Sequence, residues 1–585
     1  MTIFDALTLI CGLALFLYGM DVMGDALKKS AGNQLKAWLG KMTSNQFKGF
    51  LLGLGVTAVI QSSSATTVMV VGFVNSGVMT LTQAVGVIMG ANVGTAVTSW
   101  ITGLSGLGSG GESVSSALKW LKPDAWMPIL ALIGIVLVMM SKRDKKKAVG
   151  AILLGFSVLM VGMDLMADAV AGLKDSESFR SILTMFENPI MGVLAGLVLT
   201  AIVQSSSASV GILQSLTTTG AITFGAAIPI VMGQNIGTCV TAMISSVGAT
   251  KNGKRAALAH LYFNIISVVV WLSLFYLVDA IVDFSFMEKA IDMWGVAFVH
   301  TFFKVLAVAL IAPFTKYMEK LAVLSVRDKD DESPASRLDE RLLATPAVGV
   351  QVATEVVAEM AEEACSSLIE SLSLLDTYDT RRADAVRASE GEVDKMEDAL
   401  GTYLVKLGAQ NITDQDSHAI TMLLHIIGDF ERISDHAVNV VESAEELRDK
   451  KLSFSAEANR ELGVLRSAVS EILRITSDAF TKGNMTEAAQ VEPLEEVVDD
   501  LRDAIKRNHV LRLQKNECSI EHGFILSDLL TNLERVADHC SNIAGCILEI
   551  TQEGGLEMHK YLASVREGGE EYNRMFAEYS AKYAL

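Results

Sequence analysis

Gln61-Ser62-Ser63-Ser64-Ala65 recurs without a gap as Gln204-Ser205-Ser206-Ser207-Ala208, 143 residues later. The same offset carries Gly19-Met20-Asp21 onto Gly162-Met163-Asp164, and Asn45 and Gly49 onto Asn188 and Gly192. It also carries Gly90, Asn92, Gly94 and Thr95 onto Gly233, Asn235, Gly237 and Thr238. A chain duplicated in this way must fold as two related halves. Glycine and serine could recur merely to let helices pack closely. Packing, however, does not require Gln, Asn and three consecutive Ser to recur at one spacing. The duplication therefore points to a polar site kept inside apolar surroundings.

Composition divides the 585 residues sharply. Residues 1–330 hold 23 Lys and Arg against 18 Asp and Glu, whereas residues 331–585 hold 25 against 49. The first part is apolar, with its charges in short loops; the second is acidic, with a net charge of −24. At least two domains are expected at this length. The six cysteines follow no CxxC or disulfide-framework spacing, which fits a reducing environment for the soluble part. The N-terminus has no basic n-region, and its first apolar segment contains Asp21 and Asp25, so no removable signal peptide is expected.

Apolar stretches of spanning length lie near 6–27, 78–101, 125–141, 148–171, 221–247, 256–282 and 291–313. Two more, 48–77 and 188–220, are interrupted by Gln-Ser-Ser-Ser and suit re-entrant pairs of half-helices. Lys and Arg gather in 28–48, 141–147 and 249–255, while the alternate loops are acidic or mixed. With the interrupted stretches re-entrant, every basic loop falls on one side, the cytoplasm, together with everything after residue 314. Met1 then lies outside, and the two copies are inverted relative to each other. The expected fold is all-α: a polytopic membrane domain over 1–326, with inverted repeats at about 5–101 and 148–247, followed by a soluble helical bundle.

Inversion would bring the two breaks together near the midplane. Half-helix N-termini and Ser hydroxyls can hold an anion there, and freed carbonyls can hold Na⁺. Neither repeat buries an Arg or Lys, so an anion would need cations as partners. Asp21 and Asp164 sit in apolar helices, where a charge is costly; they are candidates for Na⁺ support, or else helix-end acids reaching the interface. His260, His300 and Lys304, also in or beside spans, are assigned packing or snorkelling roles.

The paired Gln-Ser-Ser-Ser and Gly-x-Asn-[Val/Ile]-Gly-Thr motifs resemble the type II sodium–phosphate cotransporter family over roughly 5–315. The resemblance implies Na⁺-coupled movement of inorganic phosphate through a lipid bilayer, here a bacterial inner membrane. It assigns substrate and Na⁺ binding to Gln61, Ser62, Ser63, Ser64, Gln204, Ser205, Ser206 and Ser207, with Thr66, Asn92, Thr95, Ser209, Asn235 and Thr238 as neighbouring candidates. Ser hydroxyls and backbone N–H groups would donate to phosphate oxygens, and hard Na⁺ would take oxygen ligands.

Residues 327–346 read as a charged, Pro-containing linker, 347–550 as two consecutive three-helix units, and 551–585 as an unassigned tail. Polar breaks fall near 376–383, 408–415, 450–456 and 483–493. Asp429-Phe430-Glu431-Arg432-Ile433-Ser434-Asp435-His436 aligns with Asn532-Leu533-Glu534-Arg535-Val536-Ala537-Asp538-His539, 103 residues on. Glu431 with Asp435, and Glu534 with Asp538, share a helix face and can present paired carboxylates to a metal. Glu390 with Asp394, and Glu495 with Asp499, repeat the pattern. Ordinary surface charge paired with the Arg of each motif is the competing reading. The duplicated Glu-Arg-x-x-Asp-His resembles the PhoU family of phosphate-signalling proteins, which implies divalent or transition metal ions at Asp394, Glu431, Asp435, Asp499, Glu534 and Asp538.

Three functions fit these features: a Na⁺-coupled phosphate symporter with a regulatory PhoU-like domain, the same fold carrying another oxyanion, or a membrane phosphate sensor. An enzyme is not expected, since the chain lacks GxxxxGK[ST], HExxH and GxSxG. The acidic second half disfavours nucleic acid as a partner. A homo-oligomer is left open.

Overall fold

The computed structural model describes residues 3–41, 46–106, 123–327, 333–410, 412–549 and 569–585. The chain divides into two compact units, 1–330 and 331–585. Both are helical; the described residues contain no β structure beyond one isolated bridge, Thr223 to Ala290.

In the first unit, α1 (Ile3–Lys41) precedes a broken pair, α2 (Gln46–Ile60) and α3 (Ser63–Asn75). Helices α4 (Leu81–Gly94) and α5 (Ala96–Gly103) follow, then α6 (Pro123–Met140). The second copy repeats the order: α7 (Asp144–Ala171), the short α8 (Glu177–Met185), the broken pair α9 (Pro189–Val203) and α10 (Ser206–Thr217), then α11 (Phe224–Gly237) and α12 (Cys239–Ser245). Helices α13 (Lys251–Val282), α14 (Met293–Ile311) and α15 (Thr315–Ser325) complete the unit.

Among the described residues, six stretches are long and apolar enough to cross a membrane: Ile3–Leu27, Leu81–Gly106, Lys145–Ala171, Phe224–Ser245, Lys251–Val282 and Met293–Ser325. The expected span at 125–141 falls on α6, 18 residues long, whose apolar part, Trp126–Met140, is shorter than these six but lies in a helix still within the range that can cross. Leu132, Met139, Leu277, Ile281 and Phe298 are exposed, the surface expected of helices that face lipid tails rather than water.

The recurring glycines explain how the copies pack. A methyl at Gly53 would overlap the Val87 carbonyl, and one at Gly90 the Phe50 carbonyl; Gly196 and Gly233, 143 residues on, meet Ile230 and Val193 in the same way. Thus α2 lies against α4, and α9 against α11, at backbone contact. Between the copies, a Cβ at Gly12 would lie 2.8 Å from the Gly162 oxygen, and one at Gly155 would lie 2.7 Å from the Gly19 oxygen. Early residues of α1 therefore face late residues of α7, so these equivalent helices run antiparallel.

The second unit holds α16 (Pro346–Leu374), α17 (Thr380–Gly408), α18 (Asp414–Asp449), α19 (Ala456–Lys482), α20 (Met485–Gln514) and α21 (Ile520–Glu549). These form the two expected three-helix units around a core that includes Val356, Leu404, Phe430, Ile472, Leu494 and Leu533. A fifth break, 515–519, was not legible, and the fourth is only Gly483-Asn484, because Pro493 is accommodated inside α20. Part of the expected linker is ordered: Pro334–Arg337 and Glu340–Ala344 form short helical turns, with Leu342 buried and Arg337 paired to Glu355 at 2.7 Å. The tail likewise returns as α22 (Glu570–Lys582), where Tyr579 donates to Gln490 at 3.1 Å and Lys582 pairs with Glu471 at 2.6 Å.

Candidate functional site

Both Gln-Ser-Ser-Ser segments break their helices in one geometry. Gln61 (φ 59°) and Gln204 (φ 55°) take the left-handed conformation, a strained state for a residue with a Cβ. Ser62 then caps α3 by accepting from the Ala65 N–H at 3.2 Å, and Ser205 caps α10 by accepting from the Ala208 N–H at 3.2 Å. Across the first break, the Thr57 hydroxyl donates to the Thr66 hydroxyl at 3.0 Å; across the second, Thr200 donates to Ser209 at 2.8 Å. Each bond joins residues nine apart and folds the two arms against each other. Ser63, Ser206 and Ser207 are buried, while Ser62, Ser64 and Ser205 are half-buried. Thr57 and Thr200 were missed as site residues, although they obey the 143-residue offset.

The second motif is less symmetric. Asn92 donates to Asn264 Oδ1 at 3.0 Å, and Asn264 donates in turn to Cys239 Sγ at 3.2 Å, so α13 bridges the two copies. Asn235 Oδ1 and the neighbouring Gln234 Oε1 are buried acceptors with no donor among the described residues. The Thr95 and Thr238 hydroxyls bond within their own helices, to the Ala91 and Asn235 carbonyls, at the steps from α4 to α5 and from α11 to α12. Gln214, on α10, accepts from Thr102 at 2.6 Å and donates to the Ser99 and Met293 carbonyls at 3.0 Å each. Gln214 and Asn264 have no counterpart at the 143-residue offset.

The two breaks also differ. Gln61 is buried and accepts from Thr98 at 2.9 Å, whereas Gln204 is exposed; Thr241, the equivalent of Thr98, donates to the Thr238 carbonyl instead. Asp21 lies on an exposed face of α1, and Asp164 is half-buried on α7. Lys304 contradicts the snorkelling assignment, because its nitrogen is buried.

In the second unit, the first acidic cluster gathers Glu390, Asp394 and Glu397 of α17 against Glu431 and Asp435 of α18. Burial, with Asp435 and Glu397 alongside, pushes the Glu431 carboxyl up to about 7. The second cluster is bridged: Arg502 lies 3.2 Å from Asp499 and 2.8 Å from Glu534. Burial and Asp538 still raise the Glu534 carboxyl above its ordinary value, with Arg502 opposing them. Glu495 is buried in α20. Among the described residues, no three His, Cys, Asp or Glu side chains converge closely enough to hold a metal ion. The metal sites expected at Asp394, Glu431, Asp435, Asp499, Glu534 and Asp538 are not assembled here. Where α18 meets α21, the aligned histidines exchange partners: His436 donates to Asn532 and His539 to Asp429, each at 2.8 Å.

Comparison with known proteins matches both units. The family described as Na⁺/Pi-cotransporter covers residues 15–168 and 169–296, and the PhoU domain covers 357–444 and 464–547. The chain is 26% identical over 553 residues to the "Putative inorganic phosphate export protein YjbB" of Salmonella typhimurium, covering 93% of this chain and 97% of that protein. It is 36% identical over 168 residues to the human sodium-dependent phosphate transport protein 2B, covering 26% of this chain and 24% of that one. It is 26% identical over 206 residues to the phosphate-specific transport system accessory protein PhoU homolog 1 of Thermotoga maritima, covering 35% of this chain and 87% of that one. With six apolar helices of spanning length among its described residues, this is a multi-pass membrane protein. It belongs to the Na⁺/Pi-cotransporter family through its first unit, and its second unit is a tandem of PhoU domains.

Proposed function

We propose that this protein moves inorganic phosphate across a bacterial inner membrane, coupled to Na⁺, through one site built from both Gln-Ser-Ser-Ser breaks. The matched geometry of the breaks carries this reading: two left-handed Gln residues, two Ser caps and two hydroxyl pairs, all at one offset. Ser62, Ser63, Ser64, Ser205, Ser206 and Ser207, with the N–H groups that open α3 and α10, would donate to phosphate oxygens. Asn235 Oδ1 and Gln234 Oε1, buried without donors among the described residues, suit Na⁺. Asp21 and Asp164 would support it from α1 and α7.

The antiparallel packing of α1 on α7 favours inverted repeats; the basic loops would put Met1 outside and the PhoU unit in the cytoplasm. A buried Gln61 beside an exposed Gln204 is the asymmetry expected of a repeat pair open to one side at a time. The PhoU tandem would regulate flux. Uptake of ³²P-phosphate into proteoliposomes, under Na⁺ gradients imposed in each direction, tests the proposal. Flux that follows the Na⁺ gradient is expected; binding without turnover would indicate a sensor, and flux indifferent to Na⁺ would remove the coupling. The word export in the names of relatives concerns direction, which the two gradients read directly.

A further inference from the structure

Among the buried polar atoms of the first unit that have no partner among the described residues, three are basic nitrogens: Lys304 Nζ, His300 Nε2 and His260 Nδ1. Lys304 is 2% exposed and His300 0%. They stand one turn apart on one face of α14. His260 lies on α13, whose flanking Ala259 and Phe263 pack in one hydrophobic cluster with Ala307 and Ile311 of α14.

Packing alone does not account for this cluster. A buried ammonium with neither a counter-ion nor an acceptor is among the costliest groups a fold can hold, and Leu or Met would fill the same space without that cost. The group also lies against the proposed transport site. Ser99 Oγ is 2.9 Å from His300 Nδ1, and the adjacent Thr98 donates to Gln61 Oε1 at 2.9 Å. On the other side, Asn264 accepts from Asn92 and donates to the His260 carbonyl, each at 3.0 Å. A residue of each duplicated motif thus reaches the cluster through a single intermediary helix position or its neighbour.

We propose that Lys304, His300 and His260 form an anion site that supplies inorganic phosphate with the positive charge both repeats lack. The proposal rests on phosphate being the substrate. If the Ser99 hydroxyl donates to His300 Nδ1, the ring hydrogen sits on Nε2, the unpartnered nitrogen, and can be donated to a phosphate oxygen. The ammonium adds a charge-assisted bond.

The test is calorimetric titration of inorganic phosphate into the detergent-solubilised full chain in NaCl. Lys304→Gln should weaken phosphate affinity by about 10- to 100-fold, as expected for loss of a charge-assisted bond. His300→Gln and His260→Gln should each weaken it by about 3- to 10-fold. In phosphate-free buffer, Lys304→Gln should raise the thermal unfolding midpoint, because an uncompensated buried charge is gone, and added phosphate should then shift it less than in wild type. Unchanged affinity in folded Lys304→Gln would overturn the anion site while leaving the proposed function intact. Should Lys304→Gln not fold, the two His variants decide, and unchanged affinity in both overturns the site. No binding by wild type would overturn the proposed function itself.

Discussion

Arg502 stands in the second PhoU repeat where Glu397 stands in the first, 105 residues earlier, the same offset that relates Asp394 to Asp499. The change of sign alters the whole neighbourhood. In the second repeat, Arg502 bridges Asp499 and Glu534 at 3.2 and 2.8 Å. In the first, Glu397 adds to the charge that already raises Glu431. One cluster is neutralised from within; the other is left with carboxylates that repel.

Removing the bridge should therefore be costly. Arg502 and Glu534 are mostly buried, at 26% and 22% side-chain exposure, so Arg502→Ala would remove the cation that bridges Asp499 and Glu534. The expected cost is about 1–2 kcal/mol of local stability. Hydrogen exchange at the α20 and α21 amides of the full chain should speed up accordingly. Unchanged protection there would mean that the bridge contributes no more than an exposed surface pair.

The first cluster should respond to pH. Glu431 is raised from 4.5 to about 7, so the folded state binds a proton more tightly than the unfolded chain does. Its contribution is fully present below pH 4.5 and is lost as pH rises through about 7. Glu431→Gln, which cannot ionise, should be more stable than wild type at pH 8, with the difference vanishing towards pH 5. Solvent screening at this partly exposed position keeps the gain below about 1 kcal/mol. Denaturation midpoints of the PhoU unit at the two pH values measure it, and an equal offset at both would remove Glu431 as the titrating group.

What was legible in the sequence follows from duplication. The breaks at Gln61 and Gln204 were readable because a second copy showed which polar residues recur at one offset. Gln214 and Asn264 were not, because Val71 stands at the place equivalent to Gln214 and Asn264 lies on α13, outside both copies, so that only tertiary packing brings them there. Thr98 and Thr241 do obey the offset, but a recurring Thr does not show that only the first copy's bonds a Gln. Arg502 escaped notice because the offset drifts from 103 to 105 between the Glu-Arg-x-x-Asp-His motif and the upstream carboxylates. Lys304 was read as a packing or snorkelling side chain because periodicity shows that a lysine lies in an apolar helix but not which way it faces.

The two breaks should contribute jointly to transport. Ser63 and Ser206 are equivalent, buried and at the first turn of α3 and α10. Ser63→Ala or Ser206→Ala removes one hydroxyl without touching the caps made by Ser62 and Ser205. Loss of a hydrogen bond to a charged substrate corresponds to about a tenfold or greater fall in phosphate uptake, with membrane insertion unchanged. Wild-type uptake by both variants would sink the shared-site reading.

The PhoU unit should prove dispensable for conduction, and the structure indicates where the chain can be cut. The Arg255 guanidinium, buried at the start of α13, donates through Nε and Nη2 to the Val326 carbonyl at 3.2 and 2.8 Å. That contact pins the end of α15 to the helix that also carries His260 and Asn264. A chain ending at Val326 keeps the acceptor and gains a carboxylate there, so it should insert and carry phosphate, with its response to cytoplasmic conditions altered. A chain ending at Ala322 loses the contact and leaves Arg255 without that acceptor, which should lower the yield of folded protein. ³²P-phosphate flux in proteoliposomes, compared with detergent-resistant folding of each truncation, separates the outcomes. Should the chain ending at Val326 fold yet carry no phosphate under any Na⁺ gradient, the PhoU unit would be a working part of transport and not its regulator.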